Sequence, residues 1–226
     1  MKKIYLTAAI VMGLFVVQSI SALPLNLLND TIAFDTGIHA TPNWNVIPGQ
    51  DNSGTWLSWN ITQVNDVWRY EYLWHTDGRD LSHIIMQVSE GAGANDFWNW
   101  QFQYSGIEDS PEIGWFGQGP GNPGIPGSVY GFKLDLEDDT PIFGFSFETW
   151  RSPVWGDFYA KDGKYEGSDV YAYNLGFLDA DVNDGRHIAV PNGRLIRIAD
   201  GGLTVGLLGL ALLSVAFIRR RLVARA

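Results

Sequence analysis

The chain has 226 residues, a formal net charge of −10 and no cysteine, and it carries ten tryptophans, nine tyrosines and twelve phenylalanines. Without cysteine there can be no disulfide, thiol nucleophile or thiolate metal site. The acid excess repels phosphate backbones and anionic lipid headgroups, which argues against nucleic acid as a partner.

The first element in chain order reads as a leader. Lys2 and Lys3 precede an apolar stretch, Ile4 to Val17, and then the small-residue site Ser19-Ile20-Ser21-Ala22. This order predicts a secretory signal peptide over residues 1–22, cut by signal peptidase after Ala22. From Leu23 to Arg197 the chain holds 24 acidic and nine basic residues and all ten tryptophans. Residues 23–196 are long enough for one exported domain with a substantial core.

Within that domain the hydrophobic pattern has period two. Trp68, Tyr70, Tyr72 and Trp74 alternate with Arg69 and Glu71. Trp98, Trp100, Phe102 and Tyr104 alternate with Asn99, Gln101 and Gln103. Ile84, Met86 and Val88 share a face, as do Tyr130, Phe132, Leu134 and Leu136. Phe143, Phe145 and Phe147 oppose Gly144, Ser146 and Glu148. Such alternation predicts half-buried antiparallel strands. Further strands are expected near 54–62, 155–160, 169–175 and 187–190, with turns at Asp77-Gly78, Asp162-Gly163 and Asp184-Gly185. No stretch before residue 197 carries a helical stripe. The predicted fold class is all-β, an antiparallel β-sandwich with a jelly roll as one form of it, plus a single C-terminal transmembrane helix. The breaker-rich run Gly117 to Gly127 is expected to be a crossover between the sheets.

The tail, residues 197–226, ends the chain with an uncharged apolar run, Gly202 to Ile218, closed by Arg219, Arg220 and Arg221. At about 1.5 Å per residue the run spans roughly 26 Å, enough to cross a bilayer with little tilt. The arginines would stay on the cytoplasmic side. Asp200-Gly201-Gly202-Leu203-Thr204-Val205 followed by Leu207-Leu208-Gly209-Leu210-Ala211-Leu212 resembles the PEP-CTERM group of bacterial sorting signals, in its Val-Pro-Asp-Ser-Gly variant. The tail departs from that pattern where Ile198-Ala199 stands in place of Val-Pro. The resemblance implies handling by an exosortase, with Asp200, Gly201 and Gly202 as the recognition element and the three arginines as retention charges. Pro153 to Gly163 also looks like wording found in uncharacterised bacterial proteins bearing such tails. The expected role is structural or adhesive, at the cell surface or in extracellular polysaccharide, after passage through the membrane.

Candidate sites inside the domain are weaker signals. His75, Asp77, Asp80 and His83 offer metal-ligand chemistry, but Asp77-Gly78 also suits a hairpin turn. Asp179, Asp181 and Asn183 resemble the opening of a calcium loop out of register, and Asp135, Glu137, Asp138 and Asp139 form another acidic run. No other cofactor is indicated. Trp56, Trp59, Trp115, Trp150 and Trp155 lie off the clearest core stripes and are candidates for stacking on sugars, against ordinary burial in the core. Asn60-Ile61-Thr62 fits a glycosylation sequon and reads as chance in a bacterial-type export context. No nucleophile elbow, His-Glu-x-x-His motif or phosphate loop is present. A carboxylate pair for glycoside hydrolysis remains as an alternative, because sequence spacing does not give spatial separation. The expectation is a non-enzymatic protein.

Overall fold

The computed structural model describes residues 25–34, 36–41, 44, 54–76, 79–181 and 183–193. The signal peptide with Ala22, the tail with Asp200, Gly201, Gly202, Arg219, Arg220 and Arg221, the apolar run 202–218 and the Asp77-Gly78 turn lie outside these residues. Among the described residues no helix is long and apolar enough to cross a membrane.

The domain is all-β with antiparallel pairing between its strands. A four-residue helical turn, α1 (Leu25–Leu28), leads into β1 (Asn29–Ala33), β2 (Ile38–Ala40), β3 (Trp56–Val64), β4 (Val67–His75), β5 (Leu81–Gln87), β6 (Phe97–Gln103) and β7 (Glu112–Phe116). Then come β8 (Val129–Thr140), β9 (Ile142–Thr149), β10 (Val154–Gly156), β11 (Phe158–Tyr165), β12 (Ser168–Asn174) and β13 (Ile188–Val190). Five strands form one sheet in the order β1-β3-β4-β9-β6, and six form another in the order β2-β12-β11-β5-β8-β7. β10 and β13 make a separate two-stranded ribbon.

The expected alternation on β4 and β9 places Trp68, Tyr70, Tyr72, Trp74, Phe143, Phe145 and Phe147 in one buried layer. They meet Ile84, Met86, Phe132, Leu134 and Phe158 of the six-stranded sheet in a single apolar cluster. Phe132 meets Phe147 edge to face at 5.3 Å, and Trp74 meets Phe158 in the same manner at 6.0 Å. Two phenols sink into this layer because each finds an acceptor: Tyr70 donates to the Arg151 carbonyl at 2.9 Å and Tyr72 to the Ala189 carbonyl at 2.7 Å. The second bond ties β13 to the five-stranded sheet.

Three expectations are corrected. On β6 the face assignment shifts: Phe97, not Trp98, is buried, and Trp100 and Phe102 follow it inward while Tyr104 is 65% exposed. The cause is an irregularity in the β6–β9 register between Trp98 and Gln101, where Asn99 adopts φ 54°. An extra residue at such a bulge reverses the alternation for what precedes it. The run 117–127 does not cross between sheets, because β7 and β8 are hydrogen-bonded neighbours. It folds over the outer face of its own sheet, where Ile125 joins Ile85, Phe116, Val129, Tyr159 and Phe177 in a second small cluster. Gly124, at φ +69°, lies so close to the Tyr171 ring that no side chain fits there. Asp162-Gly163 is not the turn: both residues lie within β11, and the chain reverses at Glu166-Gly167, with φ 49° and 82°.

Candidate functional site

The outer face of the five-stranded sheet gathers the polar halves of four alternating strands. The register sets Asn60, Glu71, Ser146 and Gln101 side by side across β3, β4, β9 and β6. The next rung holds Ser58, Leu73, Gly144 and Gln103, and beyond it Trp56 faces His75. On the other side, Thr62, Arg69, Glu148 and Trp98 make a further rung. Because side chains point to alternate faces, each of these polar groups stands on the side away from the aromatic layer.

Arg69 organises the face. Its Nε donates to Glu71 Oε1 at 3.0 Å, and Nη2 donates to Gln101 Oε1 at 3.1 Å and to Ser146 Oγ at 3.2 Å. Nη1 lies 3.9 Å from Glu148 Oε1. Asn60 Nδ2 donates to Glu71 Oε2 at 3.0 Å, and Asn29 Nδ2 donates to Asn60 Oδ1 at 3.5 Å. Glu148 Oε2 accepts from Trp98 Nε1 at 3.0 Å and from Asn99 Nδ2 at 2.7 Å. The Arg69 hydrogen bond holds the Glu71 carboxyl below its ordinary range against the opposing effect of burial, with Asn60 adding to the lowering. The network reaches all five strands. Beside it lies an open groove of about 350 Å³, floored by Leu73 and Gly144 and bordered by Ser58, Gln101 and Gln103.

Aromatic rings stand at two margins. Trp56 and His75 stack at 5.0 Å with planes 9° apart, and His75 Nδ1 lies 2.7 Å from the Gly54 carbonyl. Trp98 and Trp150 pack at 4.2 Å. Trp56 and Trp150 therefore flank this face, each half-buried. Trp59 does not belong with them. Three positions from Trp56 on the same strand, it points inward, is buried and donates its indole N–H to the Leu27 carbonyl at 3.2 Å. Trp155 packs edge-on against Trp59 at 6.2 Å, and Trp115 is 60% exposed on the six-stranded sheet, beside Tyr130.

The histidine pair proposed from spacing is divided: His75 stands on β4 and His83 on β5, in different sheets. His83 is buried with Nε2 3.2 Å from Asn122 Oδ1, and burial, reinforced by Lys133, pushes its pKa down to about 4. Within the acidic run, Asp135 pairs with Lys133 at 2.6 Å. Of Asp179, Asp181 and Asn183, only Asp181 joins a three-residue cluster of potential ligands among the described residues. Asp179 Oδ2 is held by Arg186 Nη1 at 3.0 Å, Asn183 borders a separate pocket, and Asp181 lies instead with Asp157 and His187.

Sequence reading had already put Arg69, Glu71, Gln101, Ser146 and Glu148 on the polar sides of their strands. What it lacked was the order β3-β4-β9-β6, which makes neighbours of strands far apart in the chain. Comparison with models of protein families, with curated proteins and with solved structures finds no match.

Proposed function

We propose that the chain is an exported protein with a structural or adhesive role at the cell surface or in its matrix, and that it contacts extracellular polysaccharide through the outer face of the five-stranded sheet. The stacked sheets are read as a β-sandwich that presents this face. The observation that carries the proposal is the hydrogen-bonded side-chain network around Arg69, with the groove beside it. Amide, hydroxyl and carboxylate groups held in fixed positions are the chemistry that recognises sugar hydroxyls, and pre-ordering lowers the entropy lost on binding. The rings of Trp56 and Trp150 at the margins supply apolar surfaces against which a sugar face can lie.

The same network favours binding over hydrolysis. A glycosidase needs one carboxyl group that keeps its proton near neutral pH. Here Glu71 is driven the other way by Arg69. The signal peptide and the tail supply the route: signal peptidase at Ala22, then an exosortase reading Asp200, Gly201 and Gly202 while Arg219, Arg220 and Arg221 hold the tail inside.

Two measurements test the proposal. Calorimetric titration of the full chain with a panel of neutral and acidic polysaccharides should give saturable heat with at least one member, reduced by Arg69→Ala; heat from none removes the binding role. Intact-mass analysis of the protein recovered from cells should show loss of the N-terminal 22 residues and a shortened C-terminus. A chain still ending at Ala226 removes exosortase processing.

A further inference from the structure

We propose that Asp157, Asp181 and His187 form a binding site for a divalent transition-metal ion, with zinc the best-matched member of the class. The ion would fasten the loop between β12 and β13 to the junction of β10 and β11. This site is separate from the polysaccharide-binding face and does not depend on it.

One ligand atom from each of the three residues lies within 4.8 Å of the other two. Asp157 and His187 are buried, while Asp181 is exposed. Asp157 is the single residue between β10 and β11, and its backbone is fixed on both sides by Gln87 at 2.8 and 2.9 Å. Its Oδ1 accepts from Asn174 Nδ2 at 2.8 Å and its Oδ2 from the Leu178 N–H at 3.2 Å, which leaves lone pairs on both oxygens. Asn174 also donates to the Arg186 carbonyl and accepts from the Phe158 N–H, so the support behind Asp157 is rigid.

The second observation is the state of His187. Its Nδ1 lies 3.0 Å from Asp184 Oδ1. Asp184 also accepts from the Arg186 backbone N–H at 2.9 Å and from Arg186 Nε at 2.8 Å. The Asp184 contact occupies Nδ1 and leaves Nε2 as the other ring nitrogen to be satisfied. Nε2 is buried with no hydrogen-bond partner among the described residues. A buried polar nitrogen without a partner is costly, and a cation bound by its lone pair relieves that cost. A carboxylate that fixes the tautomer and orientation of a histidine through the other ring nitrogen is the usual support of a metal-binding imidazole. Gly176 completes the seat: a Cβ there would come within 2.4 Å of the His187 ring.

The donor set selects the ion. One imidazole and two carboxylates suit zinc or manganese, whereas calcium takes oxygen ligands in greater number. Three protein ligands leave a coordination position for water, on the side where Asp181 meets solvent. The sequence hinted only at Asp181; His187 closes the same loop, and Asp157 is set beside it by β10 pairing with β13.

The test uses the full chain, stripped with a chelator and titrated by calorimetry with Zn²⁺, Mn²⁺ and Ca²⁺, alongside thermal melting. The expected result is one zinc ion per chain and a raised melting temperature. Asp181→Asn should weaken zinc at least about tenfold while leaving the metal-free melting temperature unchanged, because Asp181 is exposed. His187→Gln should abolish zinc binding, and a zinc-induced shift of the His187 Nε2 resonance would identify the ligand atom. Absence of heat from both zinc and manganese overturns the proposal. So does wild-type affinity in Asp181→Asn, or a preference for calcium, which would put the ion on oxygen ligands alone.

Discussion

Arg69 and Glu71 stand two residues apart on β4, on the same face, and meet Nε to Oε1 at 3.0 Å. The pair is legible in the sequence as two charges on one side of a strand. Its consequence is not, because Arg69 also reaches Ser146, 77 residues away, and Gln101, 32 residues away. Arg69→Ala should cost only about 0.5–1 kcal/mol, the range for partly exposed pairs. Glu71 sits below its ordinary value of 4.5 when folded. Its contribution is therefore complete above pH 4.5 and is lost as pH falls through the lowered folded value. Urea midpoints of wild type and Arg69→Ala should converge on acidification across that window.

Gly144 forms part of the groove floor. An added Cβ would lie 3.3 Å from the Gln103 Cβ, a contact that Gln103, on edge strand β6, can relax by shifting. Gly144→Ala should fold with stability within about 1 kcal/mol of wild type, since alanine also reduces the entropy of the unfolded chain. Polysaccharide affinity should nonetheless fall about tenfold, the equivalent of about 1.4 kcal/mol. Calorimetric titration paired with a melting curve separates the two effects.

His83 makes stability depend on pH in a second window. Folded, it stays neutral down to about pH 4, where burial and Lys133, with Lys161 in the same sense, outweigh Asp135 and the Asn122 hydrogen bond. Unfolded, it takes up a proton below its ordinary value of 6.5. Stability should thus decline as pH falls from 6.5 towards 4 and stop declining below that. Two and a half pH units at about 1.4 kcal/mol each give a loss of about 3.5 kcal/mol. The slope should be absent in His83→Gln, measured by urea denaturation at pH 4, 5, 6 and 7.

Arg151 is a buried charge whose ion-pair partner among the described residues is Asp96, with Oδ2 at 2.7 Å from Nη2. Removing a partner from a buried ion pair strands the other charge, at a cost of about 3–5 kcal/mol. Asp96→Asn should show a loss of that size in equilibrium unfolding. A loss below about 1 kcal/mol would mean that water reaches the guanidinium.

Phe147 touches Tyr70, Tyr72, Phe97, Trp100 and Phe132, and is fully buried. Phe147→Ala should cost about 3–5 kcal/mol, measured by denaturant unfolding.

The sequence by itself determined that this domain is built of antiparallel strands, and on β4, β5 and β9 which residues face the core, because side-chain direction alternates with an invariant period of two. It did not show that Phe97, rather than Trp98, enters the core, since one residue in a left-handed conformation at Asn99 resets the period. The odd spacing of Trp56 and Trp59 on one strand does place them on opposite faces, but only the fold shows which of the two faces inward. Only the tertiary structure decided which polar faces adjoin, and so made one surface from Arg69, Gln101 and Ser146. It likewise brought Asp157, between β10 and β11, together with Asp181 and His187 of the β12–β13 connection. Strand order and loop closure join residues distant in the chain, and local propensity carries no information about such pairings.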